Sequence, residues 1–521
     1  MKSLYILLAF ILTINNSFYA QNKYIADLEK KADYNFTFGE YRLAYNSYYK
    51  LWQLDSTNID YNYRLAICRV EENIDPAKAI PALISVRKNQ PENYDALFYL
   101  ARAKMLTYHF TDAMELLNIY REKSSNKVFL EQIDHLMKTC KNALEMMNNP
   151  VNVVFENLGT NINSQMDDYN PFIAQDESYI LFTSNKKYDP EYGTYVNNIY
   201  MSKFKNGEWQ HAKPQTKINT YDDEILLSMN PDGNKIMVCN KLDNEYSDIL
   251  IAENKNMGLR YSSKYDNMFN VLNTKSEENG ASMTEDENMI FISSNRPGGK
   301  GGFDIYVIRK LPDGTYGEAE NLGNIINTPF DESYPVISAD GQILYFASKG
   351  HNSIGGYDIF VSYWNISRRT WTKPINLGYP INTTDDNLTI SFAKNNRYAY
   401  IAAKNKEGFG GKDIYRITFL DKEAECSLLK CEIFYGDSTN AEEFSGSSYD
   451  LDIAVFDNFG NIFGQYLPKK NTGKFVVILP VGDFEIEINY PGYKPLVEKL
   501  HIPGKGDFKN EYVKSFYLLP E

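Results

Sequence analysis

The stretch SADGQILYFASKGHNSIGGYDIFVS, Ser338 to Ser362, decides the fold of the largest part of this chain. It holds one run of strand-forming residues, Ile343 to Ser348, and most of a second, Tyr357 to Trp364, joined by a glycine-containing connection. Another run, Ser333 to Ser338, comes before a turn, and a fourth, Trp371 to Leu377, comes after a hairpin. The pattern therefore predicts four consecutive antiparallel strands in one unit.

The same unit occurs five times along the chain. An aliphatic residue followed by Asn marks each copy, at spacings of 56, 54, 54 and 55 residues. These pairs are Ile162-Asn163, Ile218-Asn219, Leu272-Asn273, Ile326-Asn327 and Ile381-Asn382. A second marker follows in each copy: Asn198-Ile199-Tyr200, Asp248-Ile249-Leu250, Asp304-Ile305-Tyr306, Asp358-Ile359-Phe360 and Asp413-Ile414-Tyr415. Five such units predict a five-bladed β-propeller over residues 150–422, and a sixth blade is less favoured because the spacing is unbroken.

Two stretches give these units a family resemblance. Ser338 to Ser362 and SSNRPGGKGGFDIYV, Ser293 to Val307, resemble the PD40, or WD40-like, propeller repeats of exported bacterial proteins. The last unit ends at Phe419 without a fourth strand, whereas Asn152 to Phe155 is a strand with no unit of its own. We expect these two ends to pair and close the ring, because closure removes two exposed strand edges.

The N-terminal part has a helical period instead. Between residues 21 and 149 Pro and Gly are rare, and alanines recur 34 or 35 residues apart in two registers. They are Ala32, Ala66 and Ala101, and Ala44, Ala79 and Ala113. Because paired helices need small side chains where they cross closest, this segment resembles three tetratricopeptide repeats (TPR) with a cap helix from Val128 to Met147. Their concave groove either receives a peptide or partner, or the segment only packs against the next domain.

The C-terminal segment, residues 425–521, keeps alternating strands but loses the repeat. Its landmarks are Thr472-Gly473-Lys474-Phe475, Leu479-Pro480-Val481-Gly482 and Gly492-Tyr493. On these residues the segment resembles the carboxypeptidase regulatory-like, or transthyretin-like, domain. The resemblance implies a small antiparallel β-sandwich that binds or spaces and does not catalyse.

Charge and the N-terminus limit the partners and the compartment. The 54 Lys and Arg residues against 68 Asp and Glu give a net charge of −14, which argues against nucleic acid or an anionic membrane surface as the main partner. Residues 1–20 contain an apolar run, Leu4 to Ile14, too short to span a bilayer, and predict an export signal cleaved near Ala20. We therefore expect a periplasmic protein without a membrane span of its own.

Cysteine usage leaves two alternatives. Of the five cysteines only Cys426 and Cys431 lie close in sequence. An oxidising compartment permits this pair to form a disulfide, and burial as small hydrophobic side chains is the alternative.

The sequence offers little catalytic chemistry. Gly298 to Gly302 lacks the Ser or Thr and the following helix that a phosphate-binding loop needs. Gly355-Gly356 and Gly410-Gly411 stand at the same place in other units, where positive backbone dihedral angles would explain them. No G-x-S-x-G motif is present, and only His501 follows the last unit. We expect no enzymatic activity and no cofactor; a cryptic hydrolase is the least favoured interpretation.

One set of candidate site residues remains. Each unit carries an acidic pair three to five residues after its Asn marker: Asp167-Asp168, Asp222-Asp223, Glu277-Glu278, Asp331-Glu332 and Asp385-Asp386. Propeller symmetry carries all pairs to one face, which predicts an acidic ring formed by Asp168, Asp223, Glu278, Glu332 and Asp386. Such a ring could bind a cation such as calcium, or dock basic residues of a partner. Repeated capping of turns is the alternative.

The order of the three parts carries a last resemblance. TPR, PD40 propeller and regulatory-like sandwich resemble the PorE group of periplasmic proteins of the bacterial type IX secretion system. In that group an OmpA-like domain usually follows and holds peptidoglycan, but here Glu521 ends the chain after the sandwich, so wall binding of that kind is not expected.

The resemblance implies a non-catalytic scaffold that binds proteins of the outer membrane or of the secretion apparatus, such as a PorP/SprF-type barrel. It would serve secretion or envelope assembly. An exported module that binds a glycan or peptide on the propeller face is the alternative. Separately, loop tyrosines of the first two units could offer flat contact area, with packing on neighbouring units as the alternative: Tyr188, Tyr192, Tyr195 and Tyr246.

Overall fold

The structure is a computed structural model of the chain. It describes residues 21–189, 194–230, 232–242, 246–255, 258–394, 396–421, 426–458, 460–469, 472–503, 509 and 511–521. The predicted export signal, residues 1–20, and Tyr192 lie outside the described residues. None of the described helices combines the length and the apolar character that crossing a bilayer requires.

The N-terminal region is helical, as its alanine spacing predicts. Its helices are α1 (21–37), α2 (Tyr41–Leu54), α3 (Ile59–Glu71), α4 (Pro76–Asn89), α5 (Asp95–Leu106), α6 (Phe110–Lys123) and α7 (Lys127–Asn148). From α2 onward each helix packs against the next. All six repeated alanines are at most 1% exposed, because they lie where neighbouring helices approach most closely.

An all-β region follows, and its first strands belong to two sheets. β1 (Val153–Asn157) precedes the first sheet in the chain. The first sheet contains β2 (Asp168–Ile173), β3 (Tyr179–Asp189), β4 (Thr194–Lys205), β5 (Glu208–Trp209) and β6 (Lys213–Pro214). The second contains β7 (Asp223–Met229), β8 (Lys235–Leu242), β9 (Tyr246–Lys255) and β10 (Gly258–Tyr261), and a short helix, α8 (Phe269–Leu272), follows it.

Three further sheets repeat this order. The third contains β11 (Glu278–Met283), β12 (Met289–Ser294), β13 (Asp304–Arg309) and β14 (Glu320–Asn321). The fourth contains β15 (Glu332–Ile337), β16 (Ile343–Ser348), β17 (Asp358–Asn365), β18 (Thr370–Trp371) and β19 (Ile375–Asn376). The fifth contains β20 (Ile390–Phe392), β21 (Tyr398–Ala403), β22 (Asp413–Phe419) and the early strand β1.

The series of sheets closes on itself. β1 pairs antiparallel with β22 from Val153↔Phe419 to Asn157↔Tyr415, as the unmatched strand ends predict. The fifth sheet also contacts the first directly, since Ser391 Oγ accepts a hydrogen bond from the Ile173 N–H at 3.0 Å. The innermost strands are the first strands of the sheets: β2 contacts β7 and β20, and β11 contacts β7 and β15.

Two sheets at the C-terminal end share one apolar core. Their strands are β23 (Cys426–Tyr435), β24 (Glu442–Glu443), β25 (Asp452–Asp457), β26 (Ile462–Tyr466), β27 (Lys474–Pro480), β28 (Gly482–Asn489), β29 (Leu496–Ile502) and β30 (Glu511–Leu518). One sheet has the order β24-β23-β27 with β30 parallel to β23, and the other has the order β26-β25-β28-β29. Ile433 and Val477 of the first and Val455 and Ile486 of the second are fully buried in the same cluster.

Cys426 and Cys431 do not form a disulfide. Cys431 lies in this core, whereas Cys426 is exposed. Because both residues lie on β23, five positions apart, their side chains point to opposite faces of the strand roughly 16 Å from each other. Four of the five cysteines, including Cys431, are buried as small hydrophobic side chains.

Candidate functional site

Each Asn marker clamps the third strand of a sheet. Asn382 Oδ1 accepts the N–H of Ile359 at 2.8 Å, and its Nδ2 donates to the carbonyl of the same residue at 2.8 Å. The same two bonds join Asn219 to Ile199, Asn273 to Ile249, Asn327 to Ile305 and Asn163 to Ile414. Because Asn163 follows β1 and clamps β22, the junction of the two chain ends repeats the geometry of the other four sheets.

Five residues after each Asn marker stands a buried side chain that accepts hydrogen bonds from the preceding turn. These side chains are Asp168, Glu224, Glu278, Glu332 and Asn387, all at most 3% exposed. Glu332 accepts from the N–H and Oγ1 of Thr328 at 2.6 and 2.7 Å and from Ser348 Oγ at 2.7 Å. Asn387 holds the corresponding turn through the Thr383 N–H at 2.8 Å. The position therefore closes the turn before each innermost strand, and a neutral amide suffices in the fifth sheet.

The predicted acidic ring combines two different positions. Asp168, Glu278 and Glu332 occupy the buried position. In the second and fifth sheets that position is filled by Glu224 and Asn387, and Asp223 and Asp386 stand one residue before them. Asp223 accepts the N–H of Asn197 at 2.6 Å, and Asp386 accepts that of Tyr357 at 2.9 Å. Asp167 and Asp331 accept backbone N–H groups in the same way, from Lys412 and Phe303. In these four sheets the earlier position therefore joins the sheet to the one before it.

Burial and nearby lysines set the electrostatics of these carboxyl groups. Burial raises the pKa of Glu332 to about 7 and also raises the pKa values of Asp168 and Glu224. Asp331 forms an ion pair with Lys349 at 2.9 Å. Among the described residues, no three His, Cys, Asp or Glu side chains gather as a metal site would require. In the observed contacts, the carboxylates of the predicted acidic ring cap turns and join neighbouring sheets. Binding of calcium or of a basic partner by these carboxylates stays a prediction.

Glycine-rich connections in the last three sheets surround another buried carboxylate. Asp304 accepts the N–H groups of Lys300 and Gly301 at 2.7 and 3.0 Å, and Asp358 and Asp413 hold equivalent positions. Gly298 has a positive φ, but Gly301, Gly355 and Gly410 do not. A Cβ on these three would collide with carbonyl oxygens of the next sheet's turn, those of Phe330, Thr383 and Met166 respectively. The explanation by positive dihedral angles is therefore wrong for them, because close packing between sheets is what requires glycine.

The helical region packs on loops of the fourth sheet. Ile354 joins an apolar cluster with Met105, Phe110, Ala113, Cys140 and Ala143. Lys138 Nζ donates to the His351 carbonyl at 3.0 Å, and Asn142 Nδ2 donates to the Ser353 carbonyl at 3.1 Å. Packing against the next domain, one of the two alternatives for the helical repeats, therefore occurs.

Loops of the fifth sheet extend this junction. Thr384 Oγ1 donates to the Leu106 carbonyl at 3.3 Å, and Lys404 Nζ donates to that of Asn73 at 2.7 Å. Asp385 accepts a hydrogen bond from Asn73, and burial raises the pKa of its carboxyl group. A cavity of about 180 Å³ remains between the two regions, lined in part by Arg102 and Asp385. One of the five acidic pairs is thus covered by the helices.

Three tyrosines that the sequence patterns did not single out converge near the centre of the sheets. Tyr169 and Tyr334 lie on the innermost strands β2 and β15, and Tyr357 immediately precedes β17. Tyr169 donates to Asn197 Oδ1 at 2.9 Å. Burial raises the pKa values of Tyr169 and Tyr334, and each of the other two tyrosines interacts electrostatically with Tyr334. Aligning the repeats on the buried acid would have found Tyr169 and Tyr334, which stand one and two positions after it.

The exposed loop tyrosines lie on a long hairpin. Tyr188 and Tyr195 are 52% and 47% exposed and pack edge to face, with ring centroids 5.2 Å apart on β3 and β4. The side chain of Tyr246 lies outside the described part of the chain. The hairpin thus presents aromatic surface, as predicted for Tyr188 and Tyr195.

No protein-family model matches this chain, and the comparison with curated proteins found no match. Among solved structures, TolB from Acinetobacter baumannii is similar over 56% of this chain and 71% of its own, at 14% identity and a TM-score of 0.32. The TPR domain of P58(IPK) is similar over 26% of this chain and 37% of its own, at 20% identity and a TM-score of 0.22. A glycosyl hydrolase from Bacteroides ovatus is similar over 48% of this chain and 84% of its own, at 10% identity and a TM-score of 0.31.

Proposed function

We propose that this chain is a periplasmic scaffold that binds other proteins of the cell envelope and does not catalyse. The observation that carries the proposal is the apolar core around Ile354, which joins the helical repeats to the ring of sheets. Helical repeats and propellers both offer broad faces to other proteins. Holding two such faces in a fixed relation is what a scaffold requires.

The domain assignment belongs to the same proposal. Residues 1–20 are an export signal, residues 21–149 are three TPR units with a cap helix, and residues 150–422 are a five-bladed PD40 propeller. Residues 425–521 are a carboxypeptidase regulatory-like sandwich. The pairing of β1 with β22 and the clamp made by Asn163 support five blades, and the core shared by Val455 and Val477 supports the sandwich.

The partner class follows from the order of these parts. That order resembles the PorE group, so we infer that the partners are proteins of the outer membrane or of a type IX secretion apparatus, a PorP/SprF-type barrel among them. The Tyr188–Tyr195 hairpin supports a protein partner, because exposed aromatic side chains supply contact area at little entropic cost.

Affinity capture from envelope extracts in mild detergent, with the full chain as bait, tests the scaffold. We expect an outer-membrane protein to be retained. Ile354→Asp places a charge in the shared core and should reduce this retention, whereas Ile119→Asp, at a site that is 45% exposed, should not. Recovery of soluble cytoplasmic proteins alone, or turnover of a substrate by the purified chain, would contradict the proposal.

A module that binds a glycan or peptide is the second candidate, favoured by Tyr169, Tyr334 and Tyr357. Aromatic rings and hydroxyl groups converging in one place are typical of small-ligand sites. Soluble peptidoglycan fragments would then raise the melting temperature of the full chain. Tyr169→Phe should weaken that rise, and Tyr188→Phe on the exposed hairpin should leave it unchanged.

A further inference from the structure

The net charge of −14 is unevenly distributed, and the fourth sheet carries a basic groove. The groove has a volume of about 750 Å³ and lies between the β17–β18 hairpin and the turn before β15. Lys300, Arg368 and Lys373 line it together with His351. The described residues that line it include no Asp or Glu. An anionic group is therefore the ligand that this lining fits.

The surroundings of His351 show the same positive potential. Burial lowers the pKa of this imidazole, and Lys138 and Lys373 lower it further, against the opposing effect of a hydrogen bond with the Ile326 carbonyl. Lys138 reaches this place from α7, because its Nζ donates to the His351 carbonyl at 3.0 Å. The groove thus disfavours added positive charge and favours negative charge.

The hairpin that forms one wall ends in an exposed aliphatic residue next to cations. Trp364 and Trp371 face each other across β17 and β18, with ring centroids 5.4 Å apart. Beyond them Ile366 is 67% exposed, and Arg368 and Arg369 are also exposed. A small soluble anion would not contact Ile366. The boundary between phosphate headgroups and acyl chains would contact Ile366 and the arginines together.

The first sheet provides an internal comparison. Its groove, of about 540 Å³, is also basic, with Lys203, Lys205, His211 and Lys213 in its lining. Its hairpin, however, turns through Asn206-Gly207 and carries no aliphatic residue at the tip. The combination of cations with a protruding apolar side chain therefore distinguishes the fourth sheet from the first.

We propose that the hairpin tip and groove of the fourth sheet dock on a membrane surface that contains anionic phospholipids. Arg368, Lys300 and Lys373 bind headgroup phosphates, and Ile366 enters the interfacial layer. Ile325, on the opposite wall and 41% exposed, adds apolar contact. The contact holds the scaffold against a bilayer without spanning it.

Flotation of the full chain with vesicles tests this docking. We expect binding to vesicles of equal parts phosphatidylglycerol and phosphatidylcholine, weaker binding at higher salt, and no binding to phosphatidylcholine alone. Arg368→Gln combined with Arg369→Gln should lower the partition coefficient at least about tenfold. Ile366→Ser should lower it several-fold without changing the charge. Lys88→Gln with Lys123→Gln, two exposed helix positions, is the charge-matched control and should bind like the parent.

Three results would overturn the proposal. The first is absence of binding to the phosphatidylglycerol vesicles, and the second is equal loss of binding in the hairpin variant and in its charge-matched control. The third is binding of inorganic pyrophosphate, measured by calorimetry, in a chain that does not float with vesicles, which would assign the groove to a soluble phosphate. Melting curves of the variants, which alter exposed residues of a hairpin tip, verify that each remains folded.

Discussion

Buried asparagines supply hydrogen bonds that the short outer strands of the sheets cannot. In the third sheet β14 contains only two residues, and Asn327 takes over the N–H and carbonyl of Ile305 at 2.8 and 2.9 Å. Both bonds are buried, and the Ile305 carbonyl also accepts the N–H of Leu322 at 3.0 Å, so the loss of the amide would leave the Ile305 N–H unsatisfied. This one residue therefore stabilises the packing of a whole unit.

Replacing Asn327 tests the clamp. We expect Asn327→Ala to lower the free energy of unfolding by about 1–3 kcal/mol, because the buried N–H of Ile305 loses its partner. Chemical denaturation followed by circular dichroism measures the change. Asn324→Ala, three residues earlier and exposed, should change stability by less than about 0.5 kcal/mol. Equal effects of the two substitutions would contradict the clamp.

The buried carboxyl groups predict a pH dependence. Burial raises the pKa of Glu332 from 4.5 to about 7, so the folded state keeps a proton that the unfolded state releases. The stability from this group is complete below pH 4.5 and is lost as the pH rises through 7. Asp358, with its pKa also raised by burial to about 7, acts in the same direction.

We expect Glu332→Gln to flatten this dependence. In the parent chain Glu332 contributes a fall of up to about 3 kcal/mol between about pH 5 and pH 8, and the amide should remove that part of the slope. Urea denaturation at several pH values measures it, with the exposed Glu318→Gln as control. Glu287 should behave oppositely: although burial opposes it, hydrogen bonds from Lys235 and Lys264 lower its pKa to about 2, so its contribution is lost as the pH falls. A parent slope unaffected by Glu332→Gln would count against the assignment.

At the scale of elements, glycine connections determine how closely successive sheets pack. Gly355 lies against the Thr383 carbonyl of the turn that leads to the fifth sheet, and Gly356 lies against the Asp386 carboxylate. Asp386 in turn accepts the N–H of Tyr357. The connection, the turn and the carboxylate therefore form one contact between neighbouring sheets.

Gly355→Ala should separate this contact. The added methyl group meets backbone rather than a flexible side chain, so we expect a loss of about 1–3 kcal/mol in the free energy of unfolding. Hydrogen exchange should also be faster in β17 and β20 than in the parent. Gly317→Ala, where the nearest atom would be 3.6 Å away, is the matched control. If the stability of Gly355→Ala equalled that of the parent, the turn at Thr383 would be able to move away from the added methyl group, which would contradict the prediction.

At the scale of the whole molecule, the helices and the ring of sheets are coupled through one apolar cluster. Ala143 of α7 is fully buried there beside Ile354. Lys138 and Asn142, which donate hydrogen bonds to the fourth sheet, lie five residues and one residue before Ala143 on the same helix. A charged side chain at position 143 would be buried without a partner, so the helical region and the ring of sheets would have to separate for water to reach it.

Ala143→Glu should therefore detach the helical region from the ring. Small-angle X-ray scattering should show a larger radius of gyration than in the parent. Calorimetry should resolve separate melting transitions for the helical region and the ring of sheets, which should melt closer together in the parent. Leu144→Glu, the next residue and 36% exposed, should leave both measurements close to those of the parent. A compact Ala143→Glu variant would mean that other contacts suffice to hold the regions together.

Sequence periodicity predicted most of this architecture because buried residues recur at regular intervals along the chain. The alanine registers marked the helix crossings, the Asn markers gave the period of the sheets, and the unmatched strand before Asn157 indicated closure. The candidate site was predicted less well. Asp223 and Glu224 are adjacent carboxylates, and only the register of the turn decides which one is buried and which one joins the neighbouring sheet.

The sequence by itself determined the repeating elements of this protein, since alternating and helical patterns of apolar residues follow from burying one face of each element. Tertiary structure alone decided that Tyr169, Tyr334 and Tyr357 converge, that Cys431 is buried away from Cys426, and that α7 packs on the fourth sheet. These contacts join residues far apart in the chain or on opposite faces of one strand. Their geometry depends on how complete elements pack, and no local pattern encodes it.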